Sequence, residues 1–446
     1  MKQLRIAIVG YGTAGQAAAV LLGRDGHDVS VFERVPAPGP VGAGFLLQPS
    51  GLQVLWRMGL LPQVLAHGAR VDRLFGDTPC GRPVMDMRYD GLDSRLYGVG
   101  LQRGALFSIL DAAWEGRPER LQPGCEIVDV DAEAGVLRDA CGDTHGPFDL
   151  VVVADGAASR LRGLVAPPRV DRPYPWGALW CLLPAGSWPH VAELRQRYVA
   201  ARKMIGLLPV GGRPDDPTRR LSFFWSLRTD AFDQWEADGL APWMDELHRL
   251  WPEARDVFAH LTDPAQLARA RYRDTTMKRW HRGRVVLVGD CAHAMSPQLG
   301  QGVNMALLDA EALTAALRDA PSLEAALPAY QRERRAHVWI YQLWSRWLTP
   351  VFQSERDAVA KLRDLAFRPM GRMPGGKGQM LRVLTGTQRG LVGRLGLEEE
   401  FVDALGSPQP PEAAVADRAC QLGRSGLLAQ EIRRDSSPSP TSGAFG

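Results

Sequence analysis

The sequence contains no long apolar run, no closely spaced cysteine pair and no large excess of either charge. No stretch approaches the roughly 20 apolar residues that span a bilayer, and the run at residues 6–9 is too short for the core of a signal peptide. The six cysteines are scattered without a C-x-x-C spacing, so the sequence indicates neither a zinc site nor a disulfide framework. Reduced thiols in a cytoplasmic protein are the better interpretation.

The balance of charges in the sequence also argues against a nucleic-acid partner. The chain has 53 basic and 50 acidic residues and a net charge of +3, which is too balanced for a nucleic-acid-binding surface. It has 446 residues, of which 45% are hydrophobic and 23% charged, and this is the composition of a globular protein. Because single hydrophobic cores stop growing at about 250 to 300 residues, we expect two lobes.

The N-terminal part of the chain has the pattern of a dinucleotide-binding unit. A short apolar strand at residues 4–9 is followed by G-Y-G-T-A-G, in which Gly10, Gly12 and Gly15 have the G-x-G-x-x-G spacing and open a helix. A second strand ends in Glu33, about twenty residues beyond the glycines, where a carboxylate takes ribose hydroxyls. This unit alone does not distinguish FAD from NAD.

A second motif occupies residues 284–310. Residues 285–288 form an apolar, mostly β-branched run, Asp290 follows it, and helical spacing begins at Val303. Ligands of open α/β sheets bind at the carboxyl ends of the strands, and a helix N-terminus favours negative charge. The loop between this strand and this helix therefore suits a cofactor with a polyol and an electron-accepting end. The proline and glycines of the loop are Pro297, Gly300 and Gly302.

The second motif resembles that of a known family. The matching residues are Gly289, Asp290, His293, Pro297, Gly300, Gly302, Asn304 and Asp309. At this spacing they are similar to the second flavin-binding motif of the single-component FAD-dependent aromatic hydroxylases, the p-hydroxybenzoate hydroxylase class. The resemblance implies that both motifs hold one FAD and that NAD(P)H is a transient co-substrate. No second G-x-G-x-x-G unit follows Asp155, so a separate NAD(P)H domain is not expected.

The resemblance also implies which residues contact the cofactor. In the family, an arginine such as Arg103 with a leucine three residues later contacts the flavin phosphate, and a guanidinium suits that role because it pairs bidentately with phosphate. The D-G-x-x-S-x-x-R pattern from Asp155 to Arg162 is similar to the family's region for the pyrophosphate and the nicotinamide nucleotide. In that region Asp155 would orient the arginine rather than contact a phosphate, because two negative charges repel each other. The predicted cofactor-binding residues are Gly10, Gly12, Gly15, Glu33, Arg34, Arg103, Asp155, Asp290, Pro297, Gly300, Gly302 and Asn304, and no metal ligand is predicted.

Residues 174–272 contain extended aromatic or apolar runs between prolines and glycines, which is typical of an antiparallel sheet. We expect this sheet to cover the flavin and to wall a substrate pocket. Most of its aromatic side chains should pack in the core, and a minority should face an apolar or aromatic substrate. The aromatic residues considered are Trp176, Trp180, Phe223, Phe224 and Trp225. No motif identifies the general base, and the candidates are Tyr174, Tyr198, His190 and Asp230.

The predicted fold is α/β, with a Rossmann-like FAD-binding lobe, an antiparallel-sheet substrate lobe and a C-terminal helical region. The predicted FAD lobe takes residues 1–75, 99–165 and 272–325, and the substrate lobe takes residues 76–98 and 166–271. Residues 326–405 form the C-terminal region, and residues 406–446, which are rich in Pro, Ser, Gly and charge, should be a disordered tail.

The C-terminal region should begin with a helix over residues 323–360 that breaks or kinks at Pro328 and Pro350. Trp339 and Trp347 lie on one face of this helix. The stripe either packs on the FAD lobe or touches a lipid surface, and the sequence leaves this open.

The resemblance implies an NAD(P)H-dependent FAD monooxygenase. In that family the reduced flavin forms a hydroperoxide with O2 and passes a hydroxyl group to an aromatic or similarly electron-rich small molecule. Alternatives with the same FAD lobe are a flavin-dependent halogenase, whose W-x-W-x-I-P motif is missing here, and a non-oxygenating flavin reductase. The substrate, the choice between NADH and NADPH and the oligomeric state do not follow from the sequence.

Overall fold

A computed structural model describes residues 2–39, 42–115, 119–356, 358–359, 363 and 376–407. Residues Met1–Gly406 form one compact unit. The strands are β1 (Arg5–Val9), β2 (Asp28–Glu33), β3 (Gly44–Leu47), β4 (Ala69–Val71), β5 (Arg73–Asp77), β6 (Pro83–Arg88), β7 (Gly98–Gln102), β8 (Leu121–Pro123), β9 (Ile127–Asp131), β10 (Val136–Asp139), β11 (Thr144–His145), β12 (Leu150–Val153), β13 (Val170–Pro184), β14 (Glu193–Val199), β15 (Lys203–Arg213), β16 (Asp216–Arg228), β17 (Ala268–Thr276), β18 (His281–Arg282), β19 (Val285–Leu287), β20 (Gln388–Arg389) and β21 (Gly393–Arg394).

Helices connect and cover these strands. The α-helices are α1 (Thr13–Arg24), α2 (Pro49–Arg57), α3 (Leu61–His67), α4 (Arg103–Ala113), α5 (Arg162–Val165), α6 (Phe232–Asp238), α7 (Leu240–Leu250), α8 (Arg255–Phe258), α9 (Asp290–His293), α10 (Gly302–Asp319), α11 (Leu323–Phe352), α12 (Gly376–Leu384) and α13 (Glu399–Gly406). Short 3-10 turns occur at Tyr89–Gly91, Thr229–Ala231, Pro252–Ala254, Pro264–Gln266 and Pro297–Leu299.

A mainly parallel sheet carries the two sequence motifs, in the order β18-β19-β12-β1-β2-β8. β1 pairs in parallel with β12 and with β2, and β12 pairs in parallel with β19. Helices cover both faces of a parallel sheet, so its central strands are apolar throughout, and Ile6 to Val9 of β1 are all buried. The strands predicted at residues 4–9, 29–32 and 285–288 are confirmed. Their carboxyl ends lie at one edge, where the glycine turns follow.

The second large sheet has the order β17-β13-β16-β15-β14-β5-β6 and is antiparallel except between β14 and β5. Side chains alternate between its faces along each strand. Leu179, Phe223 and Trp225 pack on α6, α7 and α8 in a separate core, whereas Trp180 and Phe224 join the core of the parallel sheet. The predicted α/β fold with a second, antiparallel sheet is confirmed.

A small sheet in the order β3-β7-β4 lies between the two large sheets. The layers approach closely only because glycines lack side chains. A Cβ on Gly44 would lie 2.6 Å from Val210 Cγ1, and a Cβ on Gly100 would lie 1.9 Å from the carbonyl oxygen of Pro209. The strand β3 forms by pairing with β7 and is not among the strands predicted from the sequence.

Of the breaks or kinks predicted at Pro328 and Pro350, the breaks do not occur. Both prolines lie inside one continuous helix, α11, which ends at Phe352 rather than near residue 360. Pro328 leaves the carbonyl of Glu324 without its helical donor, and Glu324 is exposed, so water can satisfy it. Burial of apolar side chains on both sides of the proline keeps the helix in one piece.

Two of the predicted lobe boundaries, at residues 75 and 272, fall within β5 and β17, and the lobe division therefore stays a prediction. The predicted tail lies outside the described residues beyond Ser407. Among the residues described, no helix combines the length and the apolarity needed to cross a lipid bilayer.

Candidate flavin and substrate site

The first glycine motif forms a tight turn between β1 and α1. Gly10 has φ +102°, and a Cβ there would lie 2.6 Å from the carbonyl oxygen of Ala154. A Cβ on Gly15 would lie 2.0 Å from the carbonyl oxygen of Gly10, so only glycine lets α1 start this close to β1. At Gly12 no described atom lies within 4 Å of a Cβ, and no side chain caps α1. The positive end of the helix dipole therefore faces open space.

Glu33 lies at the end of β2, beside this turn. Its Oε2 accepts a 2.8 Å hydrogen bond from the backbone N–H of Tyr11, and its Oε1 accepts a 2.9 Å bond from the N–H of Val35. The two bonds fix the carboxylate at the position expected of a ribose-binding acid. Arg34 is exposed next to it.

The second motif meets the first at Gly289, which has φ +67°. A Cβ on this glycine would lie 3.1 Å from the Cβ of Ala14 in α1 and 3.8 Å from that of Ala306 in α10. Asp290 follows as the exposed first residue of α9, a helical turn that the sequence patterns do not predict. Its Oδ1 lies 4.0 Å from a Cβ built on Gly302. The two motifs, distant in the chain, thus form one continuous surface.

The loop between α9 and α10 presents backbone groups and one unpaired donor. Pro297 begins a 3-10 turn, Gly300 ends it in the left-handed region with φ +61°, and α10 starts at Gly302 without a side-chain cap. The Nε2 atom of Gln298 is buried and has no hydrogen-bond partner within the described part of the chain. An unsatisfied buried donor costs about 1 to 3 kcal/mol, so a ligand atom here would be stabilising.

Asn304 has a different role from the predicted cofactor contact. It is 0% exposed, and its Oδ1 accepts a 2.9 Å hydrogen bond from the backbone N–H of Gln48. Its Nδ2 donates to the carbonyl oxygens of Leu46 and Gly300 over 3.4 and 3.3 Å. Because protein atoms surround and satisfy this amide, Asn304 positions the loop against β3 and α2.

Asp309, in the interior of α10, anchors the second motif. Its Oδ2 accepts a 2.8 Å hydrogen bond from the backbone N–H of Gly289 and lies 2.6 Å from Nε2 of His293. Burial opposes ionisation of Asp309, but the charges of His293 and Arg334 outweigh it and hold the pKa of the carboxyl well below its usual value. His293 is therefore a structural partner of the buried carboxylate.

Arg334 and His337 on α11 complete this network, and the sequence motifs give no signal for either. Arg334 donates from Nη1 to Nδ1 of His337 over 2.7 Å, and Nε2 of His337 lies 2.9 Å from the carbonyl oxygen of Gly386. Since the guanidinium can only donate, Nδ1 is the acceptor and Nε2 carries the proton. Burial, assisted by the charge of Arg334, lowers the pKa of His337 to about 3.

Arg103 is the first residue of α4 and lies between the small sheet and the large antiparallel sheet. Its side chain is exposed, its Cδ lies 3.0 Å from a Cβ built on Gly42, and its Cζ is 5.9 Å from the ring centroid of Phe45. Burial raises the pKa of Tyr272 on β17, and the charge of Arg103 partly opposes that rise. Arg103 therefore adjoins both the β3 segment and the aromatic sheet.

Asp155 and Arg162 shape the loop after β12. Arg162 donates from Nη1 to Oγ1 of Thr275 over 2.5 Å and from Nη2 to the carbonyl oxygens of Gly156 and Ala157. Burial raises the pKa of Asp155, against the opposing influence of Ser159 and Arg162. Arg162 is 2% exposed, so the structural role is the one that the contacts support.

An aromatic group lies on the face of the antiparallel sheet that joins the core of the parallel sheet. Trp180 and Phe224 are directly paired across β13 and β16, and their rings lie 5.0 Å apart at 33°. Nε1 of Trp180 donates a 2.8 Å hydrogen bond to the hydroxyl of Tyr272. Three residues along β17 from this tyrosine, the N–H of Thr275 donates to the carbonyl oxygen of Ala294, just before the Pro297 loop. Tyr272 was missed, although alternation along β17 could have placed it.

The structure separates the predicted candidates for the general base. Tyr198 packs on Phe352, 5.2 Å between ring centroids, and donates to Oε1 of Gln196. His190 is half-buried beside Trp188, a residue of the core on the far face of the sheet. Asp230 is exposed and paired with Arg228. Tyr174 is 9% exposed. Burial raises the pKa of Tyr174, and the neighbouring Ser296 partly opposes this rise. Because Ser296 directly precedes Pro297, Tyr174 is the one candidate of the four that lies near the Pro297 loop.

The fold and the joined glycine motifs define a flavoprotein of the α/β class, and comparison with known proteins agrees. Residues 3–344 match the family described as FAD binding domain. The chain is 31% identical to kynurenine 3-monooxygenase of Salinispora arenicola over 80% of this chain and 81% of that protein. It is 31% identical to salicylate hydroxylase of Pseudomonas putida, over 80% of this chain and 87% of that protein. The solved structure of Pseudomonas aeruginosa PqsL with 2-aminobenzoylacetate is 26% identical, with a TM-score of 0.70, and covers 81% of this chain and 100% of that one.

The chain therefore belongs to the FAD-binding-domain family of monooxygenases and is an FAD-dependent hydroxylating enzyme. Its residues fit the cofactor. Open space at Gly12, two helix N-termini without side-chain caps and the unpaired donor of Gln298 provide positions for phosphate and for a polar ring edge.

Proposed function

We propose that this enzyme uses NAD(P)H and O2 to hydroxylate a benzene-type ring that carries an amino or hydroxyl group next to a carbonyl or carboxylate group. The proposal rests chiefly on the aromatic group of Trp180, Phe224 and Tyr272, which faces the FAD-binding side of the antiparallel sheet. An aromatic ring gains about 0.5 to 1.5 kcal/mol beyond its area burial by packing against another at this spacing. Flat side chains on this face therefore favour a flat substrate.

The polar groups next to this aromatic wall favour a substrate with hydrogen-bond acceptors. The hydroxyl oxygen of Tyr272 accepts from Trp180, and no acceptor for its own proton lies among the described residues. Burial raises the pKa of Tyr272 to about 12, so it stays protonated and can donate at neutral pH. The guanidinium of Arg103 is close enough to oppose the rise in the pKa of Tyr272. A carbonyl or carboxylate group on the substrate would accept a hydrogen bond from Tyr272, next to the Arg103 that is proposed to hold the cofactor.

The cofactor residues are part of the same proposal. Gly10, Gly12, Gly15, Glu33 and Arg34 would hold the adenosine and pyrophosphate end, Arg103 and Asp155 the middle, and Asp290, Pro297, Gly300 and Gly302 the ribityl and ring end. Bound FAD supplies the chemistry, since it accepts a hydride from NAD(P)H and activates O2. The chain positions the substrate ring, excludes water with the aromatic wall and stabilises negative charge at the α10 N-terminus.

The names of the three similar proteins described above support the ring class. Kynurenine, salicylate and 2-aminobenzoylacetate, which those names print, each have a benzene ring with an amino or hydroxyl group beside a carbonyl or carboxylate group. Such a donor raises the electron density of the neighbouring ring carbons, where an electrophilic oxygen adds. The overall reaction would consume substrate, O2, NAD(P)H and a proton and yield hydroxylated substrate, water and NAD(P)+.

A cytoplasmic location is also proposed, which the free thiols of the described cysteines support.

The test is a substrate panel on the purified FAD enzyme under 18O2, with NADH and NADPH supplied in parallel. The panel contains salicylate, kynurenine and 2-aminobenzoylacetate, with benzoate and cyclohexanecarboxylate as matched compounds that lack the ring donor or the ring. NAD(P)H oxidation should be at least about tenfold faster with an ortho-substituted ring than with benzoate. One 18O atom should enter the product for each NAD(P)H consumed.

Three outcomes separate the parts of this proposal. If neither nucleotide reduces the flavin with any compound, self-contained hydroxylation is wrong. If reduction occurs but no ring compound gains 18O, the ring class is wrong while the reductive half-reaction stands. Equal rates with benzoate and with salicylate would overturn the requirement for the ring donor.

A further inference from the structure

A second cluster of chemically capable side chains lies away from the flavin site, on the small sheet in the order β11-β10-β9. Cys125 precedes β9, Asp139 ends β10 and His145 ends β11. The Sγ of Cys125 is 3.7 Å from Oδ2 of Asp139 and 3.7 Å from Nε2 of His145, and the last two atoms are 2.9 Å apart. Sulfur, oxygen and nitrogen from three segments thus converge on one point.

These separations are close to those that a tetrahedral zinc ion imposes. Zinc binds cysteine sulfur at about 2.3 Å and histidine nitrogen or carboxylate oxygen at about 2.0 to 2.2 Å. In a tetrahedron, those bond lengths put the sulfur about 3.6 Å from each lighter ligand and the two lighter ligands about 3.4 Å apart. Only the contact between Asp139 and His145 must lengthen, by about 0.5 Å, when the metal replaces their hydrogen bond.

Neighbouring groups hold each of the three side chains in this orientation. The other oxygen of Asp139, Oδ1, accepts backbone hydrogen bonds from Cys141 and Asp143 over 2.9 and 3.0 Å, which leaves Oδ2 directed at the cluster. The ring of His145 packs on Phe32, 5.0 Å between centroids. The backbone N–H of Cys125 donates to the carbonyl oxygen of Glu33 over 2.9 Å. Supporting contacts of this kind are typical of metal sites.

We propose that Cys125, Asp139 and His145 bind one Zn2+ ion. A thiolate excludes Mg2+ and Ca2+, which prefer oxygen ligands, and the mixture of thiolate, imidazole and carboxylate is the donor set of zinc. Thiolate and carboxylate together balance the charge of the ion. Because Cys125 and His145 are only half-buried, the fourth position is open to water.

The sequence indicates no zinc site because its cysteines lack a C-x-x-C spacing, and the structure shows why the spacing of these three ligands does not predict one. The three ligands are 14 and 6 residues apart in the chain, and the pairing of β9, β10 and β11 brings them together. The site lies directly behind Glu33 and Phe32, whose carbonyl accepts from Gly10 over 2.8 Å. Bound zinc would therefore fasten this sheet to the end of β2 and stabilise the nucleotide turn by mass action.

The test measures zinc on the full-length FAD enzyme after EDTA treatment, re-equilibration with micromolar ZnCl2 and gel filtration. Mass spectrometry should find one zinc per chain in the wild type, and X-ray absorption at the zinc edge should show one sulfur and two nitrogen or oxygen ligands from the protein. Cys125→Ser and Asp139→Asn should each weaken zinc binding by at least about tenfold. Asp139→Asn keeps an oxygen for the two backbone bonds, so it stays folded if Cys125→Ser does not.

The matched control is Cys80→Ser, which removes an exposed thiol elsewhere and should keep the full zinc content. Zinc should also raise the melting temperature of the wild type and of Cys80→Ser, but not that of Asp139→Asn. The proposal is overturned if the wild type retains no zinc, if Asp139→Asn retains as much as the wild type, or if the absorption spectrum shows no sulfur ligand.

Discussion

Nε of Arg334 donates a 2.7 Å hydrogen bond to Oδ1 of Asp309, and the two side chains are 4% and 0% exposed. The other oxygen of the same carboxylate holds Gly289 and His293 of the second flavin motif. A single buried charge therefore connects the glycine at the end of β19 to α11, which is remote from it in sequence. Removing either partner would leave the other charge without compensation in a low-dielectric interior.

The first prediction follows from this pair. Arg334→Met keeps the length of the side chain but removes the guanidinium that pairs with the buried carboxylate of Asp309, and it should lower the free energy of unfolding by about 3 to 5 kcal/mol. Urea denaturation of the FAD enzyme at neutral pH measures this loss. Arg335→Met, on the exposed face of the same helix, should change stability by less than about 0.5 kcal/mol. Equal midpoints for the two variants would show that the buried pair contributes nothing.

The second prediction concerns pH and His337. Its pKa is lowered from 6.5 to about 3 in the folded protein, so between these values the unfolded chain binds a proton that the folded chain does not. Stability must therefore rise with pH across this window, and it falls as the pH drops from about 6.5 toward 3. His337→Gln removes the titration while keeping an acceptor for Arg334 and a donor for Gly386. Its unfolding free energy should fall less steeply with acid, by up to about 1.4 kcal/mol per pH unit.

Urea denaturation between pH 7 and 4 measures both slopes. His260→Gln is the matched control, because His260 is exposed and its loss should leave the slope of the wild type unchanged. If His337→Gln and the wild type have parallel profiles, His337 is not held neutral by burial.

Local patterns were sufficient to predict the two glycine motifs and their strands. Gly10, Gly15 and Gly289 each occupy a position where a Cβ would meet another part of the chain. The spacing of these glycines therefore follows directly from the geometry of the turns that they form. Because side chains alternate between the two faces of a strand, the sequences of β13 and β16 also predict that Trp180 and Phe224 lie on one face and Phe223 and Trp225 on the other. Composition alone could not assign these faces.

Other parts of the site depend on contacts between segments distant in the chain. Nothing in the local sequence of Arg334 or His337 distinguishes them from the surface charges of α11, and they are buried by the packing of that helix on α10 and on the segment at Gly386. The continuity of α11 through Pro328 has the same origin, since burial on both sides outweighs one lost hydrogen bond. The role of Asn304 as a positioning residue depends on its contacts with β3 and α2, which are distant from it in the chain, so the local sequence does not predict it.

The third prediction separates two glycines of one motif. Gly12→Ala puts a methyl group into open space next to the α1 N-terminus, so the folded protein should keep its stability while its FAD affinity falls at least about tenfold. Gly15→Ala forces a Cβ against the carbonyl oxygen of Gly10 and should destabilise the fold itself. Fluorescence titration with FAD and thermal unfolding of the FAD-stripped protein measure the two effects.

Gly396→Ala is the control, because that exposed glycine also has no described atom within 4 Å of a Cβ and lies outside both motifs. It should change neither FAD affinity nor stability. FAD binding by Gly12→Ala with the affinity of the wild type would exclude close approach of the cofactor to this turn.

The fourth prediction concerns Tyr272, whose hydroxyl accepts from Trp180 and is free to donate to a substrate. Tyr272→Phe removes that donor and leaves Nε1 of Trp180 without its acceptor. With the ring compound that the 18O panel identifies, kcat/KM should fall by about tenfold to a hundredfold, which corresponds to the loss of about 1.5 to 3 kcal/mol in the transition state. Tyr198→Phe makes the same chemical change at a hydroxyl that bonds, among the residues the structure describes, only to Gln196, so kcat/KM should stay within about twofold of the wild type. Because FAD reduction without substrate does not involve Tyr272, its rate should be the same in both variants. A Tyr272→Phe enzyme with unchanged kcat/KM would place the substrate away from the aromatic wall.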